Sequence, residues 1–534
     1  MNKPTIIPAE KYDISADSFS EAAIEVVKEL QESGYEAYLV GGCVRDLLIG
    51  RTPKDFDVST NASPEEVKKV FSNCRIIGRR FRICHVRINR ELIEVSTFRA
   101  NPHEKENADK NEHREGEEGQ LIRDNVFGTC DEDAWRRDFS INALYYNPAE
   151  NVIIDYMNSI DDIKNGILRS IGDMDTRFTE DPVRMLRIIR FAAKFDFAIP
   201  AEAEALIHSQ KNLISTVSAP RLFEEVLKLF HGGQAIKSFE MLRKFGLFKL
   251  MFPFTSEYLV DGEMGMAERA LSNTDKRIEE GKGVIPAFLF SCLLWDPLRE
   301  DAHNLLDQGK PASKAWRIAM TDALRDQSQF VSIPRRMADT VMEIWTLHFR
   351  LVSRKPKVVF QLMNHRRFRA AYDFMLLRTS LSEVDQELAD WWTKIQEVDE
   401  EAQQQMVDDL IVAKQNDDDE PNFNSVEYIS KTGHDRNGFN KGNKQGYHSG
   451  NKGNQNGRRK NSKFSKKGRR NSNQNNNNRS NSNGNNNQQS RNEQNGHQDQ
   501  NSVHVKSNSK NSRSNFYRNR RKKMLKTKKE ESYF

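Results

Sequence analysis

Two aspartates, Asp55 and Asp57, stand at i and i+2 in the run Lys54-Asp55-Phe56-Asp57. On an extended strand these positions share one face, while Phe56 points the other way, into a core. Two carboxylates side by side can hold Mg²⁺ through oxygen ligands and leave the rest of its shell to phosphate oxygens. Taken alone, an Asp-x-Asp pair also fits a solvated strand face. Ahead of it comes the run LVGGCVRDLL over residues 39–48, a strand that ends in Gly41-Gly42 and enters a helix-like segment carrying Arg45 and Asp46. Glycine lets a backbone approach a phosphate closely and offers amide donors to it. A Gly-Gly pair after a strand is also an ordinary turn.

Three further groups follow in order. Glu94, inside the strand-like run LIEVSTF, is either a third metal-site acid or an exposed strand residue facing an arginine. The segment RRDFSINA, residues 136–143, offers Arg136 or Arg137 as a clamp for a triphosphate, because guanidinium matches phosphate geometry. Asp138 there could position a hydroxyl, a metal or a ribose, or simply cap a helix. The segment EDPVRMLRIIR, residues 180–190, places Arg184, Arg187 and Arg190 three apart along one side of a helix opened by Pro182. Asp181 with Arg184 would present an acceptor and a fork of donors, the equipment for reading a base edge. The same run also fits i,i+3 surface ion pairs.

The elements that must carry these residues can be read from periodicity. FSEAAIEVVKELQ gathers Ala22, Ala23, Val26, Val27 and Leu30 on one helical face. EAYLV, DFDVST and LIEVSTF read as strands, PEEVKKVF as a helix, and IIGRRFRICHV (76–86) as a strand with Phe81, Ile83, His85 and Arg87 on one face. His85 reads as a packed strand histidine. Residues 101–124 are charged and aperiodic, a mobile loop rather than an element. From about 160 to 410 the pattern is helical, as in PVRMLRIIRFAAKF, SAPRLFEEVLKLF and RMADTVMEIWTLHF. The predicted fold class is α+β: a small mixed-sheet head at 20–160, an all-helical neck at 161–245 and body at 246–415, and a disordered Asn-rich basic tail at 416–534.

The net charge of +5 over 534 residues conceals a division. Residues 431–534 hold 26 Lys or Arg against 5 Asp or Glu, which leaves 56 basic and 72 acidic residues for the rest. A basic tail on an acidic body points to a polyanion, first of all nucleic acid. No apolar run reaches the roughly 20 residues that span a bilayer, and no secretory signal is legible, so no membrane partner is expected. Five cysteines without a C-x-x-C pair argue against disulfides and zinc, and free thiols suit a cytoplasmic protein.

In this order, GGCVRDLLIGRTPKDFDVST, IIGRRFRICHV, DNVFGT, RRDFSINALYY and EDPVRMLRIIR resemble the tRNA nucleotidyltransferase and bacterial poly(A) polymerase family, class II of the nucleotidyltransferase superfamily, and more closely its poly(A) polymerase branch. The resemblance covers residues 20–240 well and the body to about 410 loosely. It implies a template-independent enzyme that adds AMP from ATP to RNA 3′ ends. Asp55 and Asp57 would bind two Mg²⁺ ions, with Asp138 a third catalytic acid; Glu94 stays open between a further metal ligand and an exposed strand residue. Gly41, Gly42, Arg45, Arg137 and Asn142 would hold triphosphate or ribose. Asp181 and Arg184 would face the base, with Arg187 and Arg190 behind them. The helix Pro220–Phe230, with Arg221 and Glu224, would buttress them, and Arg335, Arg336, Arg350, Arg366, Arg367 and Arg369 would track RNA phosphate. Expected partners are the 3′ ends of mRNA, small RNAs and decay intermediates, with proteins of RNA decay. CCA addition to tRNA uses the same apparatus, and a non-catalytic RNA-binding protein is the alternative from another class; intact Asp55, Asp57 and Arg137 weigh against the latter.

Overall fold

The computed structural model describes residues 3–78, 82–100, 113–115, 121–124 and 126–416. The expected tail and most of the 101–124 loop lie outside them. The head is one mixed sheet built from β1 (Thr5–Pro8), β2 (Ala37–Val40), β3 (Asp57–Thr60), β4 (Cys74–Ile77), β5 (Ile83–Ile88), β6 (Glu91–Thr97), β9 (Leu144–Asn147) and β10 (Val152–Asp155), in the order β1-β10-β9-β2-β3-β6-β5-β4. Only β3 and β6 pair in parallel; every other junction is antiparallel. Because β1 pairs with β10, the head begins ahead of residue 20.

Helix α1 (Glu21–Glu32) forms where the periodicity predicts it, with Ser20 as its N-cap and Ala22, Ala23, Val26, Val27 and Leu30 buried. Helix α2 (Gly42–Leu48) follows β2 directly, and α3 (Pro64–Val70) opens on a Ser63–Glu66 capping box. One sheet face packs on α1 and α3 through Val58, Val86, Ile93 and Val95. The other face packs on α4 (Cys130–Arg136), with Val40, Phe98, Ala134 and Tyr145 between them.

Two expectations are corrected. The segment 76–86 is a hairpin: β4 and β5 pair antiparallel around Gly78, whose φ of 85° suits glycine at a turn. Phe81 lies outside the described residues. Within 101–124, β7 (His113–Glu115) and β8 (Leu121–Asp124) form a two-stranded antiparallel ribbon. Hydrophobic patterning does not announce such a pair, because strands of three and four residues are too short to carry a period.

Beyond the head come α5 (Ser159–Asn165), α6 (Met174–Glu180), α7 (Val183–Phe195), α8 (Ala201–Gln210) and α9 (Ala219–Phe230). Eleven more α-helices follow among the described residues, from Ala235–Lys244 to Glu400–Asn416. Phe139 and Ile141 of the head enter the same core as Leu186, Phe191 and Leu222, so α7 and α9 are seated against the segment that carries Asp138.

Candidate active site

The site begins where β2 ends. Gly41 takes φ 72° and turns the chain into α2. A Cβ there would lie 3.3 Å from both Arg137 Nη1 and the Asn142 carbonyl oxygen. Glycine is thus required twice, for its dihedral and for its lack of a side chain. Arg45 folds back from α2. Its guanidinium donates to Asp46 Oδ1 at 2.6 and 2.8 Å and to Asn142 Oδ1, and it lies over the Phe195 ring of α7 at 4.6 Å. It is only 5% exposed. Gly41, Arg45, Arg137 and Asn142 therefore come together, and Arg45 ties them to α7.

Sheet register assembles the acids. Val40, Asp57, Glu94, His85 and Arg75 form one row across β2, β3, β6, β5 and β4. Asp57 is the first residue of β3, and Asp55 lies just before the strand rather than on it. Burial, then Glu94 and Asp55, push the Asp57 carboxyl up to about 6, against the pull of Arg137. Glu94 and Asp55 thus both act on Asp57, and hard oxygen donors of this kind suit a divalent cation. Among the described residues no three His, Cys, Asp or Glu stand close enough together to hold a metal ion. Glu94 is exposed, and its Oε1 lies 3.3 Å from His85 Nε2; the residue it faces is thus a histidine rather than an arginine.

Arg137 is oriented by a residue that motif reading passes over. Asp133 Oδ2 accepts from Arg137 Nε at 3.1 Å, from Arg137 Nη2 at 2.8 Å and from the Tyr145 hydroxyl at 2.8 Å. Arg137 Nη2 also donates to Ser59 Oγ at 3.1 Å, two residues along β3 from Asp57. The i,i+4 spacing of Asp133 and Arg137 is visible in sequence; the inward direction of that helical pair is not.

Asp138 turns toward α7. Its Oδ2 accepts from Arg187 Nε at 2.6 Å, and its Oδ1 from Asn142 Nδ2 and the Phe139 amide, both at 2.9 Å. Burial raises its carboxyl, but Arg187, Asn142 and the Phe139 amide outweigh burial and hold it well below the ordinary range. Asp138 thus links head to neck, and these contacts occupy both its oxygens. Asp181 is gripped by Arg221 of α9 through two bonds of 2.7 and 2.6 Å, rather than pairing with Arg184. Arg184 instead donates to the Arg177 carbonyl at 2.9 Å and to Glu180 at 3.2 Å. Arg190 stands 4.0 Å from Glu225, which is buried, whereas Glu224 is exposed. Burial and the neighbouring Arg187 pull Arg190 down to about 10. The arginine side of α7 therefore faces inward. In the body, Arg366 and Arg367 both pair with Glu343, Arg369 pairs with Asp373, and Arg350 donates to Gln361. Arg335 and Arg336 are exposed. All five cysteines are free and buried, and no described helix is long and apolar enough to cross a membrane.

A strand–Gly-Gly turn, an acid at the start of the next strand with a second two residues before it, and an arginine held above the turn make a candidate nucleotidyltransferase site. Comparison with known proteins agrees. Residues 37–169 match the model of the poly A polymerase head domain. Residues 196–259 match that of the probable RNA and SrmB-binding site of polymerase A, and residues 308–423 that of its arginine-rich C-terminus. The poly(A) polymerase I of Haemophilus influenzae is 43% identical over 409 residues, which cover 75% of this chain and 90% of that one. A CCA-adding enzyme of Staphylococcus aureus is 36% identical over 234 residues, 44% of this chain and 56% of that one. A CCA-adding enzyme solved with ATP has a TM-score of 0.48 and 19% identity, covering 74% of this chain and 86% of that one. The chain belongs to the poly(A) polymerase I branch of the tRNA nucleotidyltransferase/poly(A) polymerase family.

Proposed function

We propose that the protein is a polynucleotide adenylyltransferase that extends RNA 3′ ends with AMP from ATP, releasing one pyrophosphate per nucleotide. The observation that carries this reading is the match along 90% of a poly(A) polymerase I, where the CCA-adding relative is matched over 56% of its length. The RNA 3′-oxygen attacks the α-phosphorus, its proton passes to solvent, and the bond to pyrophosphate breaks. Asp55 and Asp57 would hold two Mg²⁺ ions, with Glu94 beside them. When bound, such ions make the 3′-hydroxyl more acidic and offset charge on the leaving group. The Gly41–Gly42 turn, through the Gly42 amide and with Arg137 above it, holds the triphosphate, while the Gly41 amide stays bound to the Leu144 carbonyl at 2.9 Å. Asn142 carries the ribose side, and Arg45 fixes Asn142.

Asp138 acts as a positioning residue through Arg187. Asp181, steadied by Arg221, and Arg184 turn their remaining hydrogen-bonding capacity to the base, with Arg187 and Arg190 behind. In this reading the head, β1 included, transfers, the neck (161–245) selects, and the body (246–415) and basic tail (416–534) hold RNA, largely through phosphates. Five free thiols suit a cytoplasmic enzyme of mRNA processing and decay.

The test offers each labelled nucleotide separately, with Mg²⁺, to a generic RNA and to a tRNA lacking its CCA end. ATP ladders on the generic RNA are expected, and Asp55→Ala and Asp57→Ala should abolish them while RNA binding persists. CTP incorporation on the tRNA, stopping after a few residues, would move the assignment to CCA addition. Activity that survives both substitutions would remove the metal site from these aspartates.

A further inference from the structure

A cavity of about 400 Å³ opens between α4, the start of β1 and two turns, 155–158 and 169–172. We propose that it binds one unpaired nucleotide of the RNA, with the base stacked on Trp135 and the phosphate held by Lys3 and Arg169. This rests on the RNA-extending reading above and adds a second contact point for the strand.

Trp135 is 40% exposed, whereas Trp295, Trp316, Trp345 and Trp392 are buried. It stands on α4 beside Ala134, which is fully buried in the head core. A large ring kept on the surface of an otherwise anchored helix, beside a cavity, is a stacking platform for a base. Tyr156 contributes a second, half-buried ring to the same wall. The volume lies at the lower end of small-ligand sites, enough for one nucleotide and too small for a duplex.

The polar lining is arranged for an anion and a base edge. The Arg169 side chain is 58% exposed, yet it is fixed at 2.6 Å by Asp162, which Ser140 Oγ also contacts at 2.5 Å. Its cation is thereby preset at the cavity wall. Lys3, also exposed, lines the same cavity. Asp155, the acid in the lining, has both oxygens engaged by backbone: Met157 and Ser159 amides donate to Oδ1 at 3.0 Å, and the Ile160 amide to Oδ2 at 3.1 Å. Asn158 holds φ 56° and ψ 36°, a left-handed conformation, and its side chain forms no cap to α5 although it sits at the cap position. That leaves an exposed amide group, able to donate and accept, facing into the cavity wall. Stacking surface, paired cations and an amide are the three elements by which proteins hold single-stranded nucleic acid. Two residues beyond Trp135 the chain reaches Arg137, so the cavity and the nucleotide clamp share one segment.

The experiment measures binding of 5′-fluorescein oligo(A) of 4, 8 and 16 nucleotides to the full chain by anisotropy, over a salt series. Trp135→Ala, Trp135→Phe and Lys3→Ala are compared with the parent, and circular dichroism checks each fold. Trp135→Ala should weaken binding of the 16-mer about tenfold, and Trp135→Phe should retain most of the affinity. Lys3→Ala should reduce the slope of log affinity against log salt by about one. The KM for ATP and kcat at saturating RNA should stay unchanged in all three. Parental affinity in Trp135→Ala, equal losses in the Ala and Phe variants, or an ATP KM that rises in parallel would each overturn the subsite. A parent chain that binds no oligo(A) would overturn the RNA-extending reading itself.

Discussion

Gly41 and Gly42 are adjacent, yet substitution should treat them differently. Gly41 holds φ 72° and ψ −113°, a region L-residues rarely enter. Alanine there costs about 1–3 kcal/mol in backbone strain. Its Cβ would also press on Arg137 Nη1 and the Asn142 carbonyl, each 3.3 Å away. Neither yields freely: Arg137 is held by Asp133, Tyr145 and Ser59, and Asn142 by Asp138 and Arg45. Crowding of that kind adds about 1 kcal/mol or more. At Gly42 the nearest atom to an added Cβ is Arg45 Nη2 at 3.6 Å, an ordinary contact, and no unusual dihedral is involved. Alanine is also the better helix former by up to about 1 kcal/mol. Gly41→Ala should therefore lose roughly 2–4 kcal/mol, a fall of about 5–10 °C in the melting of the head, while Gly42→Ala should melt within a degree or two of the parent. Melting followed by circular dichroism decides the matter. Activity does not, because either methyl group can obstruct a triphosphate. A Gly41→Ala chain that melts with the parent, or a Gly42→Ala chain that falls as far, would refute the account of this turn.

Two other outcomes follow from the same site. Asp133→Asn removes the acid that orients Arg137 inside the head, so it should destabilise by about 3 kcal/mol and raise the KM for ATP more than it lowers kcat; steady-state kinetics at several ATP concentrations would show an unchanged KM if the pair were idle. The Asp57 carboxyl, held near 6, lies above its unfolded value, so its contribution to stability is full at low pH and is lost as pH rises through about 6. A divalent cation needs the ionised form, so its affinity should fall as pH drops below about 6, with proton release on binding at pH 5.5 and none at pH 8. Calorimetry in two buffers of different ionisation heat measures that release, and equal release at both pH values would contradict it.

Local signals were legible and long-range partnerships were not. The buried face of α1, the cap of α3 and the turn after β2 each follow from residues within one or two turns of chain, where spacing carries the physics. The Asp-x-Asp pair was readable as chemistry, although the strand starts two residues too late to include Asp55. Family motifs identified Asp181 and Arg184 as neighbours in sequence, but the partner of Asp181 is Arg221, forty residues on, and Arg184 turns back to Glu180. Glu225, adjacent to the expected Glu224, is the acid that faces Arg190, because a single residue step rotates a helical side chain by about 100°. The addition of β1 to the head depends on pairing with Val152–Asp155, and a four-residue edge strand has too short a pattern to announce itself.

That edge strand has a consequence for how the molecule comes into being. Thr5 is paired with Asp155, so the first strand made is among the last to find its place. On a ribosome the paired aspartates emerge early, while their arginine supports arrive in sequence: Arg137, then Arg187, then Arg221. At ordinary elongation rates the interval between Asp57 and Arg221 is roughly 10–30 s. A nascent head therefore displays its acids well before the neck can steady Asp138 or Asp181. Competence for transfer is acquired in stages during synthesis, and chains terminated before residue 221 should carry the acidic centre without the means to organise a nucleotide over it.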